Sequence, residues 1–288
     1  MTDQASALRK MMVGRLGSEP SGKSSCEVIS VTSGKGGVGK SNISMNLSIA
    51  LAKKGFKVLI LDADIGAANI DILINLDPRR NLGHVLEGKA SLFQVLEKIT
   101  ENLYLIPGAS GISDIPELAF DKRGQLREDL TKIDEQFDYL VVDTSAGVSK
   151  RVINLLLGSD RVLLVCSEEP TAIVDAYALC KVLFQIDGEI KVELIANNVE
   201  GSVEAGDVYD KLRLAVKHFL KRELHYLSHV IHDEGIAYGV INQKPLMLTG
   251  AVEGAAANFE ELASKLAHSP QWAQGKGVHY LFNLLLET

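Results

Sequence analysis

Cysteine is scarce in this chain, and the three present, Cys26, Cys166 and Cys180, form no C-x-x-C pair and show no metal-ligand spacing. The pattern fits reduced thiols in a cytosolic protein. A surplus of positive charge is also missing: 30 Lys and Arg stand against 37 Asp and Glu, a formal net charge of −7. That argues against a strongly basic nucleic-acid binder, while leaving room for one local basic patch. No apolar run approaches the roughly 18 residues that a spanning helix needs, and no charged-then-apolar signal opens the chain. The expected compartment is the cytoplasm, with at most a peripheral hold on a membrane.

What is present is ordinary for a globular protein: 288 residues, 46% hydrophobic and 23% charged, enough for one large α/β domain or two small ones. Short β-branched runs recur at Glu27–Thr32, Val58–Asp62, Tyr104–Pro107, Tyr139–Asp143, Arg161–Ser167, Val192–Asn197 and His229–Ile231. They are apolar almost throughout, as strands buried on both faces must be. Helical patterns fill the gaps at Ser41–Lys53, Asp121–Gln136, Lys150–Leu157, Thr171–Gln185 and Glu204–Arg222. This alternation implies an α/β fold, a doubly wound and mostly parallel sheet flanked by helices. Three parts are expected: an N-terminal arm over residues 1–25 ending in a Ser/Gly/Pro-rich linker, a main domain over 26–268, and a linker with a C-terminal helix over 269–288.

One loop carries chemistry. The stretch SGKGGVGKS follows the first strand and opens the first helix, matching the G-x-x-x-x-G-K-[ST] phosphate loop. Gly34, Gly36, Gly37 and Gly39 let the backbone approach a phosphate, and the N–H groups from Lys35 through Val38 to Asn42 face an anion at the helix N-terminus. Lys40 supplies a point charge and Ser41 a hydroxyl for Mg²⁺. Lys35 is a second cation that the loop itself does not require. Two strand ends add carboxylates. Asp143 closes an apolar strand where a metal-side aspartate belongs, and Asp62 and Asp64 stand two apart, on one face of an extended segment. Carboxylates beside a Mg²⁺–triphosphate can divide the work, holding a metal water and orienting the attacking water.

The GKGGVGKS loop, the DADIGAANID segment and the DTSAG turn together resemble the deviant-Walker ATPases of the MinD/ParA kind, over roughly residues 27–268. That resemblance implies ATP and Mg²⁺ as cofactors, slow hydrolysis in an ATP-dependent homodimer, and a Lys35 that reaches the partner's ATP. It assigns Lys40, Lys35 and Asp64 to catalysis, Ser41, Asp62 and Asp143 to the metal side, and Asn197 to an adenine contact. Within that group, the arm D-Q-A-x-x-L-R, met here by Asp3, Gln4, Ala5, Leu8 and Arg9, is similar to the FlhG (FleN) branch of flagellar-number regulators. The implied partners are an FlhF-type GTPase stimulated by the arm, a flagellar transcription activator and switch-complex proteins. Direct DNA binding is not expected, and iron–sulfur relatives are excluded by the cysteine spacing. A division-site or DNA-partitioning ATPase, or a nucleotide-sensing scaffold with negligible hydrolysis, is the alternative. Where relatives carry proline or glycine in the DTSAG turn, Ser145 is expected to change only turn stiffness.

Two flanking segments read as amphipathic. In the arm, Gln4 could orient water at a GTPase active site and Arg9 could supply a cation. Near the C-terminus, Val278, Leu281, Phe282, Leu285 and Leu286 recur at helical spacing and form one apolar face, suited to lying in the interface of an anionic membrane. The same face would equally suit a groove on its own domain. The segment Glu168–Leu179 is the candidate partner surface, or simply a helix start with Pro170 in its first position.

Overall fold

The computed structural model describes residues 25–64, 69–109, 120–268 and 276–286. The arm residues Asp3, Gln4, Ala5, Leu8 and Arg9 lie outside them. Among the described residues the strands are β1 (Glu27–Thr32), β2 (Val58–Asp62), β3 (Glu97–Lys98), β4 (Leu103–Ile106), β5 (Tyr139–Asp143), β6 (Arg161–Cys166), β7 (Val192–Val199) and β8 (His225–Ile231). They form one sheet in the order β3-β4-β2-β5-β1-β6-β7-β8, parallel except for the antiparallel edge ribbon β3. The helices are α1 (Lys40–Lys53), α2 (Ile70–Leu73), α3 (Leu82–Leu86), α4 (Leu92–Val95), α5 (Phe120–Gln136), α6 (Lys150–Gly158), α7 (Pro170–Ile186), α8 (Ser202–Ala215), α9 (Glu234–Ile241), α10 (Ala255–His268) and α11 (Gly277–Leu286).

Burial explains the apolar runs. Every residue of β2, β5 and β6 is buried, because helices cover both faces. Alternate residues feed two cores. Ile29, Val31, Ile60 and Val141 pack on the α1 side, while Val28, Leu61, Leu140 and Val142 pack on the other. β1 is central, between β5 and β6, where the chain's winding changes direction. Ligand sites of open α/β sheets gather at the carboxyl ends of strands beside such a point.

The structure adds β3, α2–α4, α9 and α10 to the elements read from the sequence, and it differs from that reading elsewhere as well. The Glu204–Arg222 pattern divides into α8 and a π-helical turn, Val216–Leu220, which closes on Lys221 at φ 55°. The final strand begins at His225, earlier than the apolar run suggests. Of the two seats that the sequence leaves open for the C-terminal helix, α11 occupies the groove on its own domain. Val278, Leu281, Phe282 and Leu285 are buried in the second core beside Leu130, Ile133, Leu140 and Leu155. Leu286 packs against its margin. The backbone of α11 comes so close to α6 that a Cβ added at Gly158 would sit 3.0 Å from the Leu281 Cα. Asn154 donates to the Leu284 carbonyl (3.1 Å), and the Lys276 N–H to the Asp160 carboxylate (2.6 Å). An apolar face seated this way can meet lipid only after the helix leaves.

Candidate functional site

The phosphate loop connects β1 to α1, and its shape depends on glycine at two points. Gly34 lies against the backbone of α7, and a Cβ there would sit 2.2 Å from the Asp175 carbonyl carbon. Gly39 has φ +90°, and a Cβ would fall 2.3 Å from Nδ2 of Asn197. That Asn197 amide donates to the Val38 carbonyl (2.7 Å), so the end of β7 steadies the loop from beneath. An adenine contact is what the resemblance implies for Asn197; the contact present here is its support of the loop. Asn42 holds its place in the first turn of α1, its carbonyl accepting from the Asn46 amide (2.9 Å).

The two lysines face different ways. Lys40 is buried, and its Nζ lies 3.2 Å from Asp143 Oδ1 and 3.5 Å from the Ser41 hydroxyl. The Ser44 hydroxyl donates to the same Asp143 oxygen (2.8 Å). Lys35 instead points outward, donating to the Glu169 carboxylate and to the Thr171 hydroxyl (3.0 Å) at the start of α7. Pro170 takes the first helical position of α7 as expected. The site thus joins Lys40, Ser41 and Asp143 and leaves Lys35 on the rim. Glu169, Thr171 and Ser44 had no sequence signal for these roles, since their partners are distant along the chain.

The acidic strand ends sit side by side, with Asp62 opposite Asp143 in the β2–β5 register. Asp62 is buried, and its carboxylate accepts backbone N–H groups from Asp64 (3.1 Å), Asn69 (3.0 Å) and Ile70 (3.2 Å). Burial, then the charge of Asp143, pushes its pKa up to about 7 against the pull of those three N–H groups. Both Asp62 oxygens thus accept backbone N–H groups, from Asp64 on one side and from the start of α2 on the other. Asp64 points to the other segment, where the Ser145 hydroxyl donates to its Oδ1 at 2.6 Å. Ser145 therefore does more than stiffen a turn.

These residues suit a Mg²⁺-nucleotide. Asp143 Oδ2 is buried without a hydrogen-bond partner among the described residues, beside a lysine and a serine hydroxyl that can turn toward phosphate and metal. No group of three or more His, Cys, Asp or Glu among the described residues could hold a metal by itself. Mg²⁺ beside phosphates needs none, because one or two carboxylates with substrate oxygens suffice. The cysteines stay out of the chemistry: all three are buried and none is in a disulfide, and burial pushes Cys166 and Cys180 up to about 12.

Residues 26–195 match the family model described as "AAA domain". The chain is 38% identical over 293 aligned residues to the "Flagellum site-determining protein YlxH" of Helicobacter pylori, covering 100% of this chain and 99% of that protein. It is 36% identical to the "Antiactivator FleN" of Pseudomonas aeruginosa, covering 87% of this chain and 90% of that one. Among solved structures, the septum site-determining protein MinD complexed with Mg-ADP from Pyrococcus horikoshii superposes with a TM-score of 0.67 at 24% identity, covering 84% of this chain and 96% of that one, a likeness of fold. The chain that carries this phosphate loop, at the switch point of a mostly parallel sheet, is thus matched over 87% and 100% of its length by the FleN and YlxH relatives: it belongs to the FlhG/FleN family of MinD-like P-loop ATPases.

Proposed function

We propose that this chain is a slow, Mg²⁺-dependent ATPase whose ATP form is a homodimer that cycles on and off the membrane and regulates flagellar number or placement. The flagellar part follows from what the FleN and YlxH relatives are named for. The observation that carries the enzymatic part is the division between the lysines. Lys40 is buried on Asp143 within its own loop, while Lys35 stands at the rim with its ammonium held by groups it can exchange. A cation on the rim is available to a second nucleotide brought against this face. Bound Mg²⁺-ATP would supply the reacting phosphoryl group and most of the local charge. Lys40 and Ser41 would hold it, Asp143 would anchor the metal side with Asp62 acting through water, and Asp64 would orient the attacking water. Lys35 from the partner would meet negative charge developing in the transition state, a stabilisation that arrives only on dimerisation.

In this reading α11 is stored on the domain and released to anionic lipid when two copies pair, which multiplies two weak anchors. The arm, through Gln4 or Arg9, stimulates an FlhF-type GTPase, and a flagellar activator and switch-complex proteins receive the output. Sedimentation and turnover with Mg²⁺-ATP test the core of this proposal. Lys35→Ala should remove ATP-dependent dimerisation or turnover, and a variant indistinguishable from wild type in both would refute the rim-lysine role. Deleting the gene and counting flagella per cell tests the output; an unchanged count would refute it.

A further inference from the structure

We propose that Ser145 is a positioning residue for hydrolysis, a fixed hydroxyl that aims the Asp64 carboxylate. The inference rests on the hydrolytic reading above and deepens it. The DTSAG turn is fastened at both ends: the Thr144 N–H donates to the Val31 carbonyl (3.2 Å) and the Gly147 N–H to the Ser33 carbonyl (2.9 Å). Those acceptors belong to β1 and to the start of the phosphate loop, so the turn moves with the loop. The Thr144 hydroxyl is committed to the Val31 carbonyl (3.1 Å) and the Ser145 carbonyl (3.0 Å). That leaves Ser145 as the hydroxyl of this turn that faces Asp64, at 2.6 Å from Oδ1.

Asp64 is tied from its other side, since its N–H donates to Asp62 Oδ1 (3.1 Å) and the Ala63 N–H donates to the Asp143 carbonyl (2.9 Å). The carboxylate is thereby held between the β2 end and a turn anchored on the phosphate loop. One oxygen takes the hydroxyl, and the other would accept from the attacking water. Hydrogen bonds to ionised acceptors are short and about twice as strong as neutral ones. An O–H···O⁻ contact of this length fixes the rotamer of a side chain that would otherwise swing. An alanine, glycine or proline at this position has no donor to offer. Catalysis by an oriented water tolerates little misplacement of the group that aims it.

The test is single-turnover and steady-state ATP hydrolysis by the full chain with Mg²⁺, for wild type, Ser145→Ala, Ser145→Thr, Asp64→Ala and the Ser145→Ala/Asp64→Ala double variant. We expect Ser145→Ala to lower kcat roughly tenfold with KM for ATP unchanged, the loss of one charge-assisted hydrogen bond felt in the transition state. Ser145→Thr, which keeps the hydroxyl, should restore most of the rate, and the double variant should be no slower than Asp64→Ala alone. Thermal midpoints and nucleotide affinity should match wild type throughout. Ser145→Ala turning over at the wild-type rate beside an inactive Asp64→Ala would overturn the positioning role and leave the ATPase reading standing. A rise in KM that accounts for the whole effect, or no rescue by threonine, would also overturn it. Wild-type turnover by Asp64→Ala would instead remove the role of Asp64, and that of Ser145 with it.

Discussion

A wedge between α6 and α11 tests whether the seated C-terminal helix is a stored membrane anchor. Gly158 ends α6, and a single added carbon would already lie 3.0 Å from Leu281 Cα, 3.1 Å from Leu281 Cδ1 and 3.5 Å from Leu284 Cδ1. Gly158→Val adds three carbons against a helix backbone that cannot rotate away as a side chain can. Overpacking of this kind costs about 1–3 kcal/mol. The penalty falls on the seated state alone, so the balance between seated and released helix shifts about 5- to 150-fold. Release is costly for the wild type, because burying each large apolar side chain is worth about 1.5–3 kcal/mol and α11 buries Val278, Leu281, Phe282, Leu284 and Leu285. On the stored-anchor proposal a bilayer would recover the helix half of that contact and leave the groove lined by Leu130, Ile133 and Leu155 open, so an ATP dimer would have to cover or reshape it. Co-sedimentation with phosphatidylglycerol-rich vesicles reads the balance. Gly158→Val should pellet without ATP, and deletion of residues 276–288 should abolish pelleting in both backgrounds. If the variant's thermal midpoint falls, showing that the wedge acts, yet ATP-free pelleting stays at the wild-type level, the stored-anchor reasoning is refuted.

Other expectations follow from burial and charge. Glu27, beside Arg161 and Glu193 at the amino ends of the strands, has its pKa pushed from 4.5 up to about 7, first by burial and then, against the pull of Arg161, by Asp160 and Glu193. The folded state therefore holds this proton more tightly than the unfolded chain does, and the stability present below the unfolded pKa is lost as pH rises through 7. At about 1.4 kcal/mol per unit, Glu27→Gln should exceed wild type by up to about 3 kcal/mol at pH 8 and match it at pH 4, read from urea melts; equal curves at both pH values would contradict the assignment. Lys40→Met removes the cation that faces buried Asp143, so the apo protein should lose up to about 3–5 kcal/mol by urea melt and nucleotide binding should disappear by calorimetry. Glu169→Gln removes a half-exposed ion pair from Lys35 and should change apo stability by less than about 1 kcal/mol, while altering the protein concentration at which the ATP dimer forms by sedimentation. Cys26, Cys166 and Cys180 are buried, so none should react with a disulfide reagent until denaturant is added.

The parallel sheet was legible because burial on both faces leaves a direct mark, unbroken runs such as Val58–Asp62 and Tyr139–Asp143. The phosphate loop was legible because its chemistry constrains eight consecutive positions between a strand and a helix. What escaped the sequence depends on where distant segments meet. The apolar stripe of α11 suits a lipid surface and a domain groove equally well, and the groove, with the close approach permitted at Gly158, comes from segments distant in sequence. Asn197 reads as the end of a strand until Val38 is found above it. Ser145 reads as a departure from its relatives' turn, and its meaning comes from Asp64, 81 residues earlier. Lys35 is separated from Glu169 by 134 residues and from Thr171 by 136, so the contacts that hold the rim lysine left no local pattern. In each case the residue type was visible and its partner was not. The phosphate loop is contiguous in sequence, whereas the contacts on which the proposed hydrolysis and helix release depend are pairs that the fold alone brings together.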